Sequence, residues 1–259
     1  MRIAAILEYD GSRFCGWQWQ DHARNVQAVV EQAFAAVADE PVRVITAGRT
    51  DTGVHATGQV VHFDTRAVRS AYSWLRGANS NLPGDVAVLW AGEVAADFHA
   101  RFSASGRAYR YVILNRPVRP TFLAGRVSWE HRPLEVERMQ AGARRLLGRH
   151  DFTSFRTVHC QAKSPVRELR QLQVWRRGAF VYMDICADAF LHHMVRNIAG
   201  VLMSIGAGER GPEWAGEVLA ARDRRRGGVT APPDGLYLTA VEYPPHYNIP
   251  LLSPESGLW

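Results

Sequence analysis

The amino-acid sequence predicts an α+β protein, because strand-like and helix-like segments occur in the order βαββαβ and this order is then repeated. The strand-like segments are short apolar or alternating runs bounded by turn residues, and the helix-like segments repeat apolar residues every three or four positions. Two such passes within 259 residues predict two ferredoxin-like halves side by side, with a central, mostly antiparallel sheet and a cleft between the halves. The predicted halves are residues 1–104 and 105–259.

The first pass starts with an apolar strand that ends at the turn dipeptide Asp10-Gly11. Asn25 is a favoured N-cap residue, and the apolar residues after it follow helical spacing. The predicted elements of this pass are, in order, a strand over residues 3–9, a helix after Asn25, strands over 42–46 and 59–63, a helix over 69–79 and a strand over 86–94.

The second pass repeats the order of elements with different residues, so the repeat is one of pattern. Gly148 is expected to end the first helix of this pass, and Phe190, Met194, Ile198 and Leu202 form the apolar stripe of the second helix. The predicted elements are a strand over residues 107–114, a helix over 134–147, hairpin strands over 168–175 and 180–186, the striped helix, a short helix over 213–221 and a closing strand over 236–241.

Arginine supplies nearly all of the positive charge, because Lys163 is the only lysine in the sequence. The formal net charge is +6, which indicates an anionic partner such as nucleic acid. Arginine also suits bidentate contacts to phosphate and stacking on bases. A bias in coding composition explains the arginine excess equally well when that excess is taken alone.

The cysteines and the apolar stretches exclude several classes of protein. Cys15, Cys160 and Cys186 are odd in number and widely spaced, which argues against a disulfide framework and against a cysteine-built zinc site. No secretory segment is recognised before the first strand. The longest apolar stretch, residues 189–207, contains two histidines, an arginine and an asparagine, so we interpret it as a buried helix and not a membrane span. We therefore expect a soluble, cytoplasmic protein.

The segment at residues 47–56 carries the most distinctive chemistry. Gly48 and Gly53 permit tight bends and the close approach of a ligand to the backbone. Asp51 lies two residues after Arg49, near enough for a charge-assisted hydrogen bond that favours the ionised carboxylate. A carboxylate held in this form beside a cleft can act as a nucleophile. A salt bridge without a catalytic role explains the same two residues, because such pairs are common in loops.

Residues 48–55, Gly-Arg-Thr-Asp-Thr-Gly-Val-His, resemble the active-site signature G-R-T-D-x-G-V-H of the TruA family of tRNA pseudouridine synthases. Other segments resemble the family in the same order along the chain, although Asn25 stands where the family usually has threonine. These segments are residues 9–11, 14–20, 26–27, 98–104, 109–111, 150–155, 190–197 and 235–238. The resemblance covers residues 3 to about 243.

This resemblance implies an isomerase that converts uridine in tRNA to pseudouridine. The implied targets are positions 38, 39 and 40 of the anticodon stem-loop, and the implied assembly is a homodimer with tRNA lying across both subunits. The resemblance also implies that no cofactor and no metal are needed. The sequence agrees, because it contains no glycine-rich dinucleotide-binding loop and the reaction includes no redox step.

The resemblance also assigns roles to individual residues. Asp51 is expected to be the nucleophile, or the base that starts cleavage, and Arg49 is expected to orient it and to fill the space that a flipped base leaves. Tyr109 is expected to stack on the flipped base, a contact worth about 1–3 kcal/mol in single-stranded sites, with a core aromatic residue as the alternative. Further substrate contacts are expected from His193, Arg196 and Leu236.

Two polar segments of the second half have two interpretations each. His193, Arg196 and Asn197 lie opposite the apolar stripe of their helix, which fits either a face that lines the cleft or a solvated face. Residues 222–226, Arg-Asp-Arg-Arg-Arg, form a charge run after a short helix. We interpret this run first as a solvated segment and second as a phosphate contact.

Two other classes of function are compatible with the same residues. A non-catalytic RNA-binding protein on this scaffold would not need Asp51. A metal-dependent hydrolase is the other class, although the spacing of its candidate ligands matches no pattern that we can justify. Those candidate ligands are Asp10, Asp51, His55, His62 and Asp64. We expect His62 to be a structural histidine on a strand face instead.

Overall fold

The computed structural model describes residues 1–157, 160 and 162–251. The chain divides into two compact units. Unit 1 contains Met1–Ser105 together with the segment that begins at Tyr237, and unit 2 contains Gly106–Leu236. The sequence placed every residue after 104 in the second half. The C-terminal segment instead groups with unit 1, because it supplies a strand that pairs with a strand of that unit.

The helices and strands of the first 105 residues run in the order βαββαβ. They are β1 (Arg2–Tyr9), α1 (Val26–Ala38), β2 (Ile45–Thr46), β3 (His55–Asp64), α2 (Ala71–Asn81) and β4 (Val86–Val94). Those of the remaining chain are β5 (Gly106–Asn115), β6 (Ser128–Glu130), α3 (Val136–Arg144), β7 (Gly148–Asp151), β8 (Val166–Arg177), β9 (Phe180–Ala187), α4 (Met194–Gly206), α5 (Trp214–Ala221) and β10 (Leu236–Glu242). The predicted mixture of helices and strands is thus confirmed.

The sheet of unit 1 is built around β1, which pairs antiparallel with β3 on one side and β4 on the other. β2 pairs antiparallel with β3. β10 pairs with β3 in parallel, with Tyr237 opposite His55. Gly58 of β3 permits this approach, because a Cβ atom at Gly58 would lie 2.2 Å from the carbonyl oxygen of Thr239. A side chain at residue 58 would therefore force β10 away from β3.

Both helices of unit 1 begin at capped ends. Asn25 Oδ1 accepts a hydrogen bond from the amide of Ala28 at 2.9 Å, as the sequence predicts for the start of α1. Ser70 Oγ accepts from the amide of Ser73 at 3.1 Å at the start of α2. Each side-chain oxygen satisfies a backbone donor that has no partner within its own helix. The caps therefore fix where α1 and α2 begin.

The core of unit 1 joins the two helices to the sheet through three large aromatic side chains. Phe34 of α1 lies 4.7 Å from Phe63 of β3, and Trp74 of α2 lies 5.4 Å from Phe63, measured between ring centroids. All three side chains are at most 1% exposed. Gly77 of α2 lets α1 approach, since a Cβ atom at Gly77 would lie 2.8 Å from the side chain of Val37. Aromatic burial of this extent supplies much of the free energy that holds the unit together.

The sheet of unit 2 has the strand order β5-β9-β8-β7, and each neighbouring pair is antiparallel. β6 adds to β5 as a parallel strand. Helices α3 and α4 pack closely at glycines: a Cβ atom at Gly142 would lie 2.9 Å from the side chain of Ile205, and one at Gly206 would lie 2.6 Å from that of Met139. Pairing is thus mostly antiparallel within each unit, as the sequence predicts. The ferredoxin-like class of the two halves, and a cleft between them, stay predictions.

The second strand of unit 1 is shorter than the sequence predicts. The apolar residues suggest a strand over 42–46, but β2 contains only Ile45–Thr46. The amide of Val44 donates to a side-chain oxygen of Glu31 at 3.0 Å. Because this backbone donor is used by a carboxylate of α1, it is not used in a strand ladder.

Helix α3 also ends earlier than predicted. It stops at Arg144, because the amides of Arg145 and Leu146 donate to carbonyl groups three residues earlier and tighten the last turn. Gly148 does not end this helix. It has a φ of 98° and begins β7, which pairs with β8.

Helix α4 begins at Met194, later than predicted, because His193 has a left-handed backbone with a φ of 63°. Phe190 therefore precedes the helix and is not part of its apolar stripe. In the part of the chain that the structure describes, no helix is both long and apolar enough to cross a membrane.

Candidate active site

The loop between β2 and β3, residues 47–54, contains Asp51 and is anchored where it begins. The amide of Ala47 donates to the carbonyl of Val60 at 2.8 Å. The carbonyl of Gly48 accepts from Gln59 Nε2 at 2.7 Å and from Thr46 Oγ1 at 3.2 Å. Three hydrogen bonds thus fix the backbone just before Arg49, which is exposed.

The middle of the loop is tied to the segment that follows β1. The amide of Trp17 donates to the carbonyl of Thr50 at 3.0 Å, and the amide of Gly53 donates to the carbonyl of Phe14 at 3.3 Å. Thr50 Oγ1 also lies 2.8 Å from the hydroxyl of Tyr9. Asp51 stands between these two attachments, so its backbone is held from both sides. Its side chain is half-buried.

Asp51 starts a tight turn that closes the loop. The amide of Val54 donates to the carbonyl of Asp51 at 3.1 Å, and Gly53 has a φ of 78°. A positive φ at the third residue is typical of a type II turn and favours glycine there. Gly16 has a similar role opposite the turn. Its φ is 85°, and a Cβ atom at this position would clash with the carbonyl oxygen of Thr50 at 2.8 Å. The spacing of aspartate and glycine in the motif is therefore set by this turn.

Two residues that support the loop were not predicted from the sequence. Gln59 is fully buried on β3, and its Nε2 group also lies 3.4 Å from the hydroxyl of Tyr9. Burial raises the pKa of Tyr9 to about 12, so its phenol is neutral at ordinary pH. A signal for Gln59 was present in the sequence, as a polar residue directly before the apolar pair Val60-Val61.

His55, which follows the loop, has a structural role. Its Nδ1 atom accepts a hydrogen bond from the amide of Gly11 at 3.0 Å and lies 3.3 Å from a carboxylate oxygen of Asp10. The ring stacks on Tyr237 of β10, with 4.5 Å between ring centroids. These contacts join the end of β1 and β10 to the first residue of β3.

The five candidate metal ligands of unit 1 cannot all meet at one ion. His55 and Asp64 are the two ends of the ten-residue strand β3, which places them about 30 Å apart. His62 Nδ1 accepts from the amide of Ala100 at 3.1 Å, and burial lowers the pKa of His62 to about 4. The carboxylate of Asp64 accepts hydrogen bonds from Nε and Nη2 of Arg2. His62 is thus a satisfied structural histidine, as expected.

In unit 2, Tyr109 lies on β5 opposite Ile185 of β9 and is half-buried. Its ring meets that of Phe190 edge-on, with 5.0 Å between centroids and 84° between planes. Tyr111, two residues further along the same strand, is fully buried, and its hydroxyl contacts Ser128 Oγ and the Pro232 carbonyl. Tyr109 is therefore the more accessible of the two tyrosines on this side of β5.

The other predicted contact residues of unit 2 lie at the start of α4 and near the end of the unit. His193 is half-buried at the N-terminal end of α4. Arg196, one turn on, donates from Nε to the carbonyl of Ala231 at 2.8 Å, and the amide of Ala231 donates to the carbonyl of Arg196 at 3.1 Å. Leu236 is buried. Asn197 is 2% exposed, so the polar face of α4 is not a uniformly solvated face.

The arginine run at residues 222–226 is also not a solvated tail. Arg222 has a left-handed backbone at the end of α5, and a short 3₁₀ helix, Arg224–Arg226, follows it. The amide of Asp223 donates to the buried hydroxyl of Ser154 at 2.8 Å. Arg225 is exposed and pairs with Asp223 at 2.8 Å. Arg224 turns inward instead, towards α4.

Comparisons with known proteins show the family to which the chain belongs. The sequence profile of a family described as tRNA pseudouridine synthase matches residues 5–103 and 143–244. The Asp51 loop and the N-terminal part of α4 both lie in matched segments, whereas Tyr109 lies between them. The chain also matches curated relatives over nearly its whole length, so Tyr109 falls within the aligned region of those proteins.

Three relatives named tRNA pseudouridine synthase A illustrate the similarity. The Nitrosococcus oceani protein is 59% identical over 259 residues, covering all of both chains. The Methylococcus capsulatus protein is 59% identical over 249 residues, 96% of this chain and 92% of that one. The Pseudomonas aeruginosa protein is 58% identical over 250 residues, 96% of this chain and 88% of that one. This chain belongs to the tRNA pseudouridine synthase family and is an isomerase.

Proposed function

We propose that this protein converts uridine to pseudouridine at positions 38, 39 and 40 of the anticodon stem-loop of tRNA, with Asp51 as the nucleophile. The proposal includes a homodimer that binds tRNA across both subunits in the cytoplasm. It is supported by membership of the family and by the eight residues that resemble the TruA signature. The formal net charge of +6 suits a polyanionic substrate.

The reaction needs one reactive group and a shaped pocket. The bond between C1′ of the ribose and N1 of uracil breaks, the base turns, and a bond forms between C1′ and C5. The proton on C5 is lost and N1 gains one, so atoms and electrons balance without an oxidant or a reductant. Asp51 supplies the carboxylate that starts the sequence.

The observation that carries this proposal is the fixed backbone at Asp51. Thr50 and Gly53 are both hydrogen-bonded to the segment at residues 14–17, and the carbonyl of Asp51 closes a turn with Val54. A nucleophile held in this way loses little further conformational entropy when it meets a flipped nucleotide. An ordinary salt bridge in a loop does not require such anchoring.

The remaining predicted residues have supporting roles in this proposal. Tyr109 stacks on the flipped uracil, with its edge braced by Phe190. Arg49 orients Asp51 and fills the position that the base vacates. Contacts to the nucleotide or its phosphates come from His193, Arg196 and Leu236.

The test is a comparison of Asp51→Asn and Asp51→Ala with Asp39→Asn as a matched control. Asp39 is an exposed aspartate with a left-handed backbone, which asparagine also adopts readily. It follows α1, a helix of 13 residues whose other end contacts Gly16 beside the Asp51 loop, and so lies about 20 Å from that loop. Both Asp51 variants should lose pseudouridine formation by about 10³-fold or more. Binding of tRNA and the rate of the control variant should be unchanged.

Pseudouridine mapping on tRNAs incubated with the purified protein reports the reaction and its position together. Modification outside positions 38 to 40 would overturn the target assignment and leave the reaction intact. A normal rate for Asp51→Asn would overturn the role of Asp51 and favour the non-catalytic alternative for this loop. Binding should also weaken steeply with salt, by a slope of about −0.9 in log–log units for each phosphate neutralised in a duplex.

A further inference from the structure

A short segment of unit 2 lies directly along α4. This segment, residues 227–231, is called the strap below. A Cβ atom at Gly200 of α4 would lie 1.9 Å from the carbonyl oxygen of Val229, so the strap backbone touches the helix surface. Ala231 at its end exchanges two hydrogen bonds with Arg196, one to each backbone group of Ala231. An acceptor of the Arg196 side chain is therefore part of the strap.

Arg224 holds the strap at two points. Its Nη1 atom donates to the carbonyl of Gly228 at 2.9 Å, and its Nη2 atom donates to Thr230 Oγ1 at 2.9 Å and to Asn197 Oδ1 at 3.0 Å. Thr230 Oγ1 in turn donates to Asn197 Oδ1 at 2.7 Å. The side-chain Nδ2 of Asn197 donates to the carbonyl of Phe155 at 2.7 Å. The planar guanidinium thus joins the strap to α4 one residue beyond Arg196.

The chemistry of this contact differs from that of the neighbouring arginine. Arg225 is exposed and pairs with the carboxylate of Asp223, an interaction of small value at a surface. Arg224 is half-buried, and these three acceptors are neutral oxygens. Burial lowers the pKa of Arg224, although a guanidinium keeps its charge in proteins. Placing a charge here costs desolvation energy, but the guanidinium presents its donors in a fork of fixed geometry.

We propose that Arg224 is a positioning residue for Arg196: it fixes the strap so that the Ala231 carbonyl holds the Arg196 guanidinium in place. The inference rests on the proposed function, in which Arg196 contacts the substrate. Without Arg224, Gly228 and Thr230 lose their common donor, and the strap keeps fewer attachments to α4, namely those that Thr230 and Ala231 make themselves. The Ala231 carbonyl then holds Arg196 Nε less firmly, and a less restrained arginine side chain samples more rotamers.

Three variants separate this role from charge and from stability. Arg224→Met removes the donors, and Arg224→Lys keeps the positive charge but not the fork. Arg138→Met is the matched control, because Arg138 is also half-buried and donates to two backbone carbonyls, those of Ile205 and Arg210. Ile205 lies nine residues along α4 from Arg196, about 14 Å away. The control variant should therefore lose similar stability without disturbing Arg196.

The first measurement does not depend on activity. Hydrogen exchange of the strap amides and of the Arg196 Nε–H group, followed by NMR in the absence of tRNA, should accelerate at least about tenfold in Arg224→Met and in Arg224→Lys. It should be unchanged in Arg138→Met. Full protection of the Arg196 Nε–H group in Arg224→Met would overturn the inference, whatever reaction the protein catalyses.

The second measurement is a double-mutant cycle on pseudouridine formation. Arg224→Met should lower kcat by about 10–100-fold in the wild-type background, since small misplacements of substrate-contacting groups have effects of that size. In an Arg196→Met background the same change should alter kcat by less than about twofold, because its effect passes through Arg196. Equal losses in both backgrounds would show an independent structural role.

The salt dependence of tRNA binding completes the design. If Arg224 contacted a phosphate directly, Arg224→Met would reduce the magnitude of the salt slope by about one, and Arg224→Lys would restore the slope. Positioning predicts an unchanged slope in both variants and no rescue of kcat by lysine. If the wild-type protein formed no pseudouridine in tRNA, the proposed function would fail, while the exchange measurement would still decide the role of Arg224.

Discussion

The side-chain amide of Gln59 donates a hydrogen bond of 2.7 Å to the backbone carbonyl of Gly48. Gln59 is fully buried in β3, and Gly48 lies three residues before Asp51. One polar side chain in the interior of the sheet therefore helps to fix the position of the Asp51 loop. This relationship leads to the first of four predictions.

Replacing Gln59 by leucine should loosen the loop and lower activity. The variant removes one of two donors to the Gly48 carbonyl and one partner of the Tyr9 hydroxyl, so the free energy of unfolding should fall by about 1–3 kcal/mol. Urea unfolding measures this loss, and kcat should fall with it. The matched control is Gln140→Leu, since Gln140 of α3 also bonds backbone groups, those of Leu172 and Val174 in β8. Equal losses of kcat in the two variants would contradict the role of Gln59.

Alanine at Gly53 should reduce catalysis, whereas alanine at Gly178 should not. Both glycines have a positive φ, 78° at Gly53 and 58° at Gly178, so each substitution places a Cβ atom in the left-handed region at a cost of about 1–2 kcal/mol. Gly178 lies in the turn between β8 and β9 with no atom near its Cβ position. We expect similar shifts in thermal midpoint and a fall in kcat for Gly53→Ala alone. A normal kcat for that variant would show that the turn after Asp51 tolerates distortion.

Loss of the hydroxyl group should lower the stability of the protein at Tyr111 but leave tRNA binding intact at Tyr109. Tyr109→Phe keeps the ring and its edge-on contact with Phe190, so tRNA binding should persist, and kcat measures any contribution of the phenol. Tyr109→Leu removes the stacking surface and should weaken transition-state binding by about 1–3 kcal/mol. Tyr111→Phe should instead lower stability, because its buried hydroxyl bonds Ser128 and Pro232. Unchanged kcat/KM in Tyr109→Leu would remove Tyr109 from the site.

His62 should make the stability of the protein sensitive to mild acid. Burial lowers its pKa from 6.5 to about 4, with further lowering from His99 and Arg2 against an opposing effect of Asp64. As the pH falls, His62 is therefore protonated near pH 6.5 in the unfolded chain but only near pH 4 in the folded chain. The contribution of His62 to stability is fully present above pH 6.5 and is lost as the pH falls through that window.

The measurement is the free energy of unfolding as a function of pH for the wild type and for His62→Asn. Asparagine can still accept the hydrogen bond from Ala100 but has no titrating group. The difference between the two proteins should be constant above pH 6.5 and should shift in favour of the variant between pH 6.5 and 4. Parallel curves across this range would mean that His62 is not protected from protonation.

Local chemistry made several elements predictable. Asn25 predicts the start of α1 because its side chain supplies the acceptor that the first turn lacks. β4 has the predicted bounds, Val86–Val94, since the turn dipeptide Pro83-Gly84 precedes an apolar run. The Asp51 loop was recognisable because Asp51 and Gly53 have fixed places in one turn. In each case, the cause lies within a few residues of its effect.

Distant contacts explain what the sequence did not reveal. β2 is shortened by Glu31, which lies 13 residues before the Val44 amide that it binds. The charge run at residues 222–226 looks solvated in the sequence, yet Arg224 bonds Asn197, which is 27 residues away. No periodicity or spacing encodes such pairs, because they depend on how elements pack. The same limit hid the pairing of β10 with β3, in which Tyr237 lies opposite His55.

The parallel pairing of β10 with β3 has a consequence for the growing chain. Unit 1 receives this strand only after the whole of Gly106–Leu236 has been made. At a synthesis rate of about 5–20 residues per second, this takes about 7–26 s. During that time the part of unit 1 that precedes Gly106 lacks the strand that β10 supplies. Completion of unit 1 thus waits for the synthesis of unit 2, so the loop with Asp51 acquires its final surroundings only after β10 has been made.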